Sequence, residues 1–337
     1  MWTFIARRLL LMVPTLIGVT VVFFLLLRVA YPDPTSAHIA EGQQMSAAQV
    51  ESMRQYYGLD QPWYVQYGRM VRSLVTLDLQ RWEDRRPVAE VIGEALPITL
   101  LLSLLSLAIA YVIAIPLGVY SAVKQYTLTD RVIAVVLFML YSLPSFWVGI
   151  MLLVFFASGH FVNCVWSDEP GCFPLQGWHA FEGFEAMSFV DKVTDVAWHL
   201  VLPIIVLTYN AFAAISRYTR TAMLESIRQD YIRTARAKGL GERAVVVKHA
   251  LRNSLLPIIT LLGLTFPYLI SGAVITETIF GIPGMGKLTL DALLHQDYPF
   301  AITFVALTAI LTMVGILASD ILYAVADPRI RYGKEGK

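Results

Sequence analysis

Long apolar runs alternate with polar segments along the whole chain. Six runs are nearly free of charge, at about 9–29, 96–119, 132–158, 197–216, 255–277 and 301–325. A helix of roughly 20 apolar residues crosses the hydrocarbon core of a bilayer, and a helix pairs its backbone polar groups internally. The pattern therefore predicts an all-α polytopic membrane protein with six transmembrane helices.

Composition and charge support this prediction and give it an orientation. The 337 residues are 57% hydrophobic and 15% charged, with a mean hydropathy of +0.61. Most of the 26 basic residues lie before the first run or after the second, fourth and sixth runs. Positively charged loops stay in the cytoplasm, so both termini are predicted to be cytoplasmic.

The predicted spans divide the chain into four parts. Residues 1–29 form an N-terminal segment with the first transmembrane helix, and 30–95 form an extracytoplasmic subdomain. Residues 96–327 form a membrane core, with an outer loop at 159–196 and a cytoplasmic loop at 217–254. Residues 328–337 form a cytoplasmic tail.

Neither a catalytic site nor a metal site is predicted. The six histidines have no metal-ligand spacing and lie at His38, His160, His179, His199, His249 and His295. Span centres lack Asp, Glu, Lys and Arg, the groups that ion-coupled carriers usually keep at mid-membrane. A stand-alone ion-coupled or facilitative carrier stays open as the alternative function, because an ion site built from carbonyls and hydroxyls would not show in this pattern.

The stretch GIPGMGKL (281–288) nearly matches a phosphate-binding loop. Gly281, Gly286 and Lys287 fit G-x-x-x-x-G-K-[ST], but Leu288 replaces the hydroxyl that contacts magnesium. The stretch also follows a predicted membrane helix instead of a strand, and it lies on the predicted outer side. We therefore interpret it as a glycine and proline turn that does not bind nucleotide.

The cytoplasmic loop 217–254 is the most unusual segment of the sequence. The spacing predicts a short helix over Tyr231–Leu240, stopped by Gly239 and Gly241, and a second helix from about Glu242 to Pro257. A surface helix held between two spans can transmit movement from a partner to the membrane. The loop has few aromatic residues, so nucleic-acid binding is a poor alternative.

Two further features are candidates for function or stability. The stretch YSLPSFWVG (141–149) favours a bend in the third span, and Ser142, Pro144 and Ser145 are possible pathway residues, although plain packing is an equal alternative. The two cysteines, Cys164 and Cys172, share the outer loop. An oxidising outer compartment favours a disulfide between them over two free thiols.

These residues together resemble a known family, the B-type permease subunit of dipeptide/oligopeptide-class ATP-binding-cassette (ABC) importers. The resemblance covers nearly the whole chain. General importer permeases carry Glu-Ala-Ala where this chain has Arg233, Thr234 and Ala235, a variant of the peptide class. The stretch 74–88 lacks the family's usual Gly-Asp-Leu-Gly turn. The matching stretches are FIARRLLLMVPTLIGVTVVFFLLLRV near the start, YYGLDQPWYVQY (56–67), DYIRTARAKGLGERAVVVKHALRNSLLPIIT (230–260), ETIFGIPGMGKL (277–288), DYP (297–299) and DPRIR (327–331).

The resemblance implies a type I ABC importer permease fold in the cytoplasmic (inner) membrane of a prokaryote. Peptides or similar small solutes would enter the cytoplasm by alternating access. Two separate cytoplasmic ATPase subunits would bind ATP and Mg, and this chain would bind no cofactor. The other partners implied are a second homologous permease subunit, an extracytoplasmic substrate-binding protein and the lipid bilayer.

The resemblance also implies a docking role for the short cytoplasmic helix, which would act as a coupling helix on an ATPase subunit. Small residues would permit close approach, and basic residues would pair with acidic groups of the partner. The residues concerned are Tyr231, Arg233, Ala235, Arg236, Ala237, Lys238 and Gly239.

Overall fold

The computed structural model describes residues 2–30, 47–58, 60–76, 78–81, 84–159, 172–295 and 297–326. Within these ranges the only extended pairing is a single bridge between Gln80 and Pro87, so the all-α prediction is confirmed. The helices are α1 (Trp2–Ala30), α2 (Ala47–Tyr57), α3 (Trp63–Thr76), α4 (Val88–Val123), α5 (Leu128–Ser142), α6 (Ser145–Leu152), α7 (Phe189–Ile227), α8 (Asp230–Ala237), α9 (Glu242–Ala244), α10 (Arg252–Ser271), α11 (Val274–Ile279), α12 (Met285–Leu294) and α13 (Tyr298–Ala326). Two π-helical stretches, Leu153–Ala157 and Val245–Leu251, continue α6 and α9.

Several helices are long and apolar enough to cross a membrane. Among the described residues there are 4 such helices, within α1, α4, α7 and α13, and up to 5 if the bent pair α5–α6 counts as one span. Helix α10 covers most of the fifth predicted span. The count of six spans stays a prediction.

Helices α4 and α7 extend well beyond the predicted spans 96–119 and 197–216. The first two turns of α4 pack Val88, Val91 and Ala95 against Met285 and Phe300, so the predicted subdomain boundary at residue 95 falls inside a helix. At the other end of the core, α7 continues to Ile227. The first part of the predicted loop 217–254 is therefore helical.

The third predicted span, 132–158, is not one straight helix. Its two halves meet at 93° between Ser142 and Ser145. Leu143, which precedes Pro144, has extended backbone (φ −79°, ψ 130°). It is extended because the proline ring clashes with a helical conformation of the residue before it. The bend favoured by the sequence is present.

The fifth span, predicted over 255–277, ends early. Helix α10 stops at Ser271, and Gly272 follows with φ +76°. A Cβ at this position would lie 2.4 Å from the backbone N of Gly286, so only glycine fits. The chain then turns back through the separate short helix α11.

Helices α4 and α7 form the most extensive helix contact of the described chain. Buried small residues recur at every fourth position of α4, at Ala110, Ala114, Gly118 and Ala122. At Gly118 a Cβ would lie 2.6 Å from the Thr219 Cβ and 2.7 Å from the Ser216 carbonyl oxygen. Small residues permit such close backbone approach, which is a common source of helix association in membranes.

We predict that Gly118→Ala destabilises the fold by about 1–3 kcal/mol, because the new methyl group forces α4 away from the backbone of α7. The matched control is Gly93→Ala on the same helix, where a Cβ meets nothing within 4 Å. The control should match or slightly exceed wild-type stability, since alanine is the better helix former. Thermal unfolding of the detergent-purified protein measures both. Equal midpoints for the two variants would contradict the close-packing account.

Candidate functional site

The short helix α8, in the loop predicted to be cytoplasmic, packs on an apolar cluster. Its buried face consists of Ile232, 0% exposed, and Ala235, 5% exposed, one turn apart. These side chains belong to a cluster with residues from α4, α7 and the π-helical stretch Val245–Leu251. We call this set the coupling cluster, and its buried members are Ala122, Met223, Ile232, Ala235, Val245, Val246 and Ala250.

A chain of hydroxyl groups adds polar links between α8 and its surroundings. The Ser226 hydroxyl donates to the Ala250 carbonyl at 2.9 Å, which uses its only proton. The Tyr231 hydroxyl lies 2.5 Å from Ser226 Oγ and therefore donates to Ser226 Oγ. The two bonds join the first turn of α8 to α7 and to the helix that follows.

The helix ends in a Schellman motif. Gly239 N donates to the Arg236 carbonyl at 2.9 Å, and Leu240 N donates to the Ala235 carbonyl at 3.4 Å. Gly239 supplies the left-handed residue that this motif requires, with φ +78°. The structure thus contains the glycine stop that the sequence predicts, with the helix one residue earlier at its start and three residues shorter at its end.

The outer face of α8 is exposed and basic. It includes Tyr231, Arg233, Arg236 and Ala237, and Lys238 and Gly239 in the turn that follows are exposed as well. Arg236 contacts the carboxylate of Glu242 through two nitrogens, at 2.6 and 3.1 Å, and this ion pair holds the pKa of Glu242 below its usual range. Arg233 pairs more loosely with Asp230, at 3.4 Å.

The structure bears on two of the residues assigned to partner contact, and the docking role of the set stays a prediction. Ala235 is buried in the coupling cluster, because it lies one turn from Ile232 on the inner face, and it cannot line an external contact. Arg236 already pairs with Glu242 of its own chain, so its guanidinium is not simply available to an acidic partner. Ala237, Lys238 and Gly239 lie on the exposed side, as contact with a partner would require.

The stretch 281–288, which resembles a phosphate loop, packs against the carboxylate of Glu277. Glu277 is 1% exposed, and its Oε1 accepts from the Thr99 hydroxyl at 3.0 Å and from Ala273 N at 3.2 Å. Its Oε2 accepts from Lys287 N at 3.0 Å. Lys287 lies in the first turn of α12, and the positive end of a helix dipole favours a negative group there.

Three glycines make room for this carboxylate. A Cβ on Gly284 would lie 2.5 Å from Glu277 Cδ, and one on Gly286 would lie 2.9 Å from Glu277 Oε2. A Cβ on Gly272 would lie 2.4 Å from the backbone N of Gly286. The space that a phosphate would need is thus filled by a side chain of the same protein, which explains the glycines without a nucleotide.

The bend between α5 and α6 carries the predicted pathway residues. Ser142 and Pro144 are exposed and Ser145 is half-buried, and the Ser142 hydroxyl donates to the Phe138 carbonyl at 2.8 Å. The Tyr209 hydroxyl of α7 donates to the Leu143 carbonyl at 2.8 Å, which satisfies a carbonyl in the bend. The pathway role of these residues stays a prediction.

The remaining sequence candidates are the cysteines and the histidines. Cys172 is 4% exposed and disulfide-bonded, while its predicted partner Cys164 lies outside the described residues, so the pairing stays a prediction. His179 stacks on Phe184 with ring centroids 4.2 Å apart. No group of three potential metal ligands occurs within the described ranges, and His38 and His160 lie outside them.

Two polar contacts between distant parts of the chain are not predicted by the sequence pattern. Glu277 contacts Thr99 from a position 178 residues away, and Arg220 contacts Asp130 across 90 residues. Nothing in a single sequence pairs such distant residues. The one available signal was that Glu277 and Asp130 are acidic groups at the ends of apolar runs.

Comparison with known proteins identifies the class. Residues 114–332 match the family "Binding-protein-dependent transport system inner membrane component", and residues 1–103 match the corresponding N-terminal family. The chain belongs to this family and is a permease component of the ABC importer class, located in the inner membrane. The predicted family is confirmed, and the importer component is favoured over the stand-alone carrier.

Relatives match over nearly their full length. The chain is 40% identical to the oligopeptide transport system permease protein AppB of Bacillus subtilis, covering 98% of this chain and 100% of the relative. It is 39% identical to the di/tripeptide transport system permease protein DppB of Pseudomonas aeruginosa, with coverage of 98% and 99%. The dipeptide permease DppB of Escherichia coli is 36% identical, with coverage of 99% and 100%.

A solved structure shares the fold. It is an inward-facing conformation of the MetNI methionine ABC transporter, with a TM-score of 0.53 and 18% identity. The match covers 72% of this chain and 99% of the other chain. At this identity the likeness concerns the fold alone.

We predict that Glu277→Ala lowers stability by about 1–3 kcal/mol for each buried donor left without an acceptor. Lys287→Ala should change stability little, because only its backbone N contacts the carboxylate. Thermal unfolding of the two purified variants provides the comparison. A Lys287→Ala variant as unstable as Glu277→Ala would be inconsistent with this account of the turn.

Proposed function

We propose that this chain is one permease subunit of a binding-protein-dependent importer of peptides. The relatives named above are oligopeptide, di/tripeptide and dipeptide permeases, and they align over nearly the whole chain. In this proposal the chain has six transmembrane helices with α10 as the fifth, and both termini are cytoplasmic. The clustering of basic residues supports this orientation.

The observation that carries the mechanism is the exposed helix α8 on its buried support. We propose that α8 is the coupling helix, which docks onto a cytoplasmic ATPase subunit through Ala237, Lys238 and Gly239. Exposed ion pairs contribute only about 0–1 kcal/mol each, so shape should outweigh charge at this contact. The fixed end of the helix at Gly239 would set that shape.

The complete assembly in this proposal has two ABC ATPase subunits, a second homologous permease and an extracytoplasmic substrate-binding protein. ATP and Mg would bind to the ATPase subunits, and this chain would contribute no bond-breaking chemistry. Closure of the ATPases would move the docked helices together and open the pathway outward. The bend at Leu143 and Pro144 is the proposed part of the pathway in this chain.

We predict that Gly239→Val weakens ATPase docking and lowers transport at least several-fold, while membrane insertion stays normal. A β-branched residue is strained at φ +78°, although no atom lies within 4 Å of its Cβ. The matched control is Gly241→Val, since Gly241 has equally open surroundings and an ordinary φ of −62°. Co-purification of ATPase subunits and uptake of a labelled tripeptide measure the effect. Normal docking and uptake in Gly239→Val would contradict the proposal.

Single cysteines on the two faces of α8 provide a second prediction. Ala237→Cys lies on the exposed face and should cross-link to an ATPase subunit through a thiol-to-amine reagent in inverted vesicles. Ala235→Cys is the matched control, because its side chain is buried in the coupling cluster and should not react. Arg236→Ala should retain most docking. If Ala237→Cys gives no ATPase cross-link, the exposed face of α8 is not the docking surface.

A further inference from the structure

An ion pair between a buried carboxylate and a half-buried guanidinium joins α5 and α7 near their cytoplasmic ends. Asp130, in the first turn of α5, is 3% exposed. Arg220 of α7 donates to both carboxylate oxygens of Asp130, from Nε to Oδ1 at 2.9 Å and from Nη2 to Oδ2 at 2.8 Å. Ser121 of α4 donates to Oδ1 at 2.5 Å, and Tyr126 N donates to Oδ2 at 3.1 Å. The carboxylate is thus bonded from three segments.

This ion pair lies beside the coupling cluster. Arg220 precedes Met223 by one turn of α7, and Met223 is a fully buried member of that cluster. Ser121 directly precedes Ala122, which is another member. A displacement of α8 that moves the cluster therefore reaches both helices that hold Asp130.

Helix α5 is also attached to α7 at its other end. There the Tyr209 hydroxyl donates to the Leu143 carbonyl at the bend, at 2.8 Å. Tyr209 and Arg220 are eleven residues apart, or about 16 Å along α7 at 1.5 Å per residue. Helix α5 packs more extensively against α7 than against α4, its neighbour in sequence. Two directional attachments at this separation fix α5 along the length of α7.

We propose that Arg220 and Asp130 are a positioning pair that makes α5 and α7 move as one body. A displacement of α8 would pass through the coupling cluster to α7, and from α7 through the ion pair to the bend at Ser142–Ser145. The bidentate contact is suited to this task, because two parallel hydrogen bonds fix orientation as well as distance. Apolar side chains alone permit sliding. This inference rests on the proposed docking of α8.

The test measures one distance within the assembled importer. Spin labels at Ser142→Cys and Thr234→Cys, in a background without the two native cysteines, report the separation of the bend from α8; Thr234 is an exposed residue of α8 outside the proposed docking contact. Distances are recorded by pulsed electron paramagnetic resonance without nucleotide and after trapping with ATP and vanadate. The wild-type pair should keep the same distance in both states, since both labels lie on one moving body.

Arg220→Lys keeps the charge but loses the bidentate contact, and the distance should then shift or broaden by about 2–5 Å on trapping. Ser121→Ala removes one donor to Asp130 and should give a smaller change in the same direction. The control is Arg228→Lys, an exposed arginine at the end of α7, which should behave as wild type. Transport should fall in Arg220→Lys while ATP hydrolysis remains stimulated by the binding protein.

Either of two results would overturn the inference. One is a wild-type distance that changes on trapping, and the other is an assembled Arg220→Lys variant that matches wild type in both states. If Arg220→Lys fails to assemble, Ser121→Ala decides by the same criterion. Failure of the wild-type chain to retain any ATPase subunit would instead refute the proposed docking, which keeps the two failures distinct.

Discussion

The close contact between α4 and α7 is the constraint on which the half of the described structure that contains α8 depends. Moving an apolar side chain from lipid to a helix interface gains little free energy, because both environments are apolar. Helices in a membrane therefore associate through close packing and polar contacts. Gly118 and its small neighbours bring the backbone of α4 against Ser216 and Thr219 of α7. Helix α7 in turn carries α5 through Arg220 and supports α8 through Met223.

Two buried carboxylates hold the core at opposite ends, and they do so by different means. Glu277 accepts from backbone N–H groups of its own turn and from Thr99 of α4, so it ties the short segments of that turn to each other and to α4. Asp130 is held mainly by the side chain of Arg220, so it ties one long helix to another. Removing either partner of a buried pair is costly because the other group is left without a counterpart. Each carboxylate therefore fixes a joint between particular segments as well as adding stability.

The parts that depend on local pattern could be predicted from the sequence. Apolar runs indicated the long helices, Pro144 indicated the bend, and Gly239 indicated the end of α8. The failures arose where distant segments decide the outcome. The inner position of Ala235 depends on a cluster built from α4, α7 and the π-helical stretch, and the early end of α10 depends on contact between Gly272 and Gly286.

Helix α8 is too short to be stable by itself in water, since isolated helices below about 12 residues are marginal. Its order comes from the burial of Ile232 and Ala235 and from the closing hydrogen bonds at Gly239. The same contacts that make it a helix therefore attach it to α4 and α7. A force applied to its exposed basic face must move these long helices or break the cluster. This dependence suits a helix that transmits movement into the membrane.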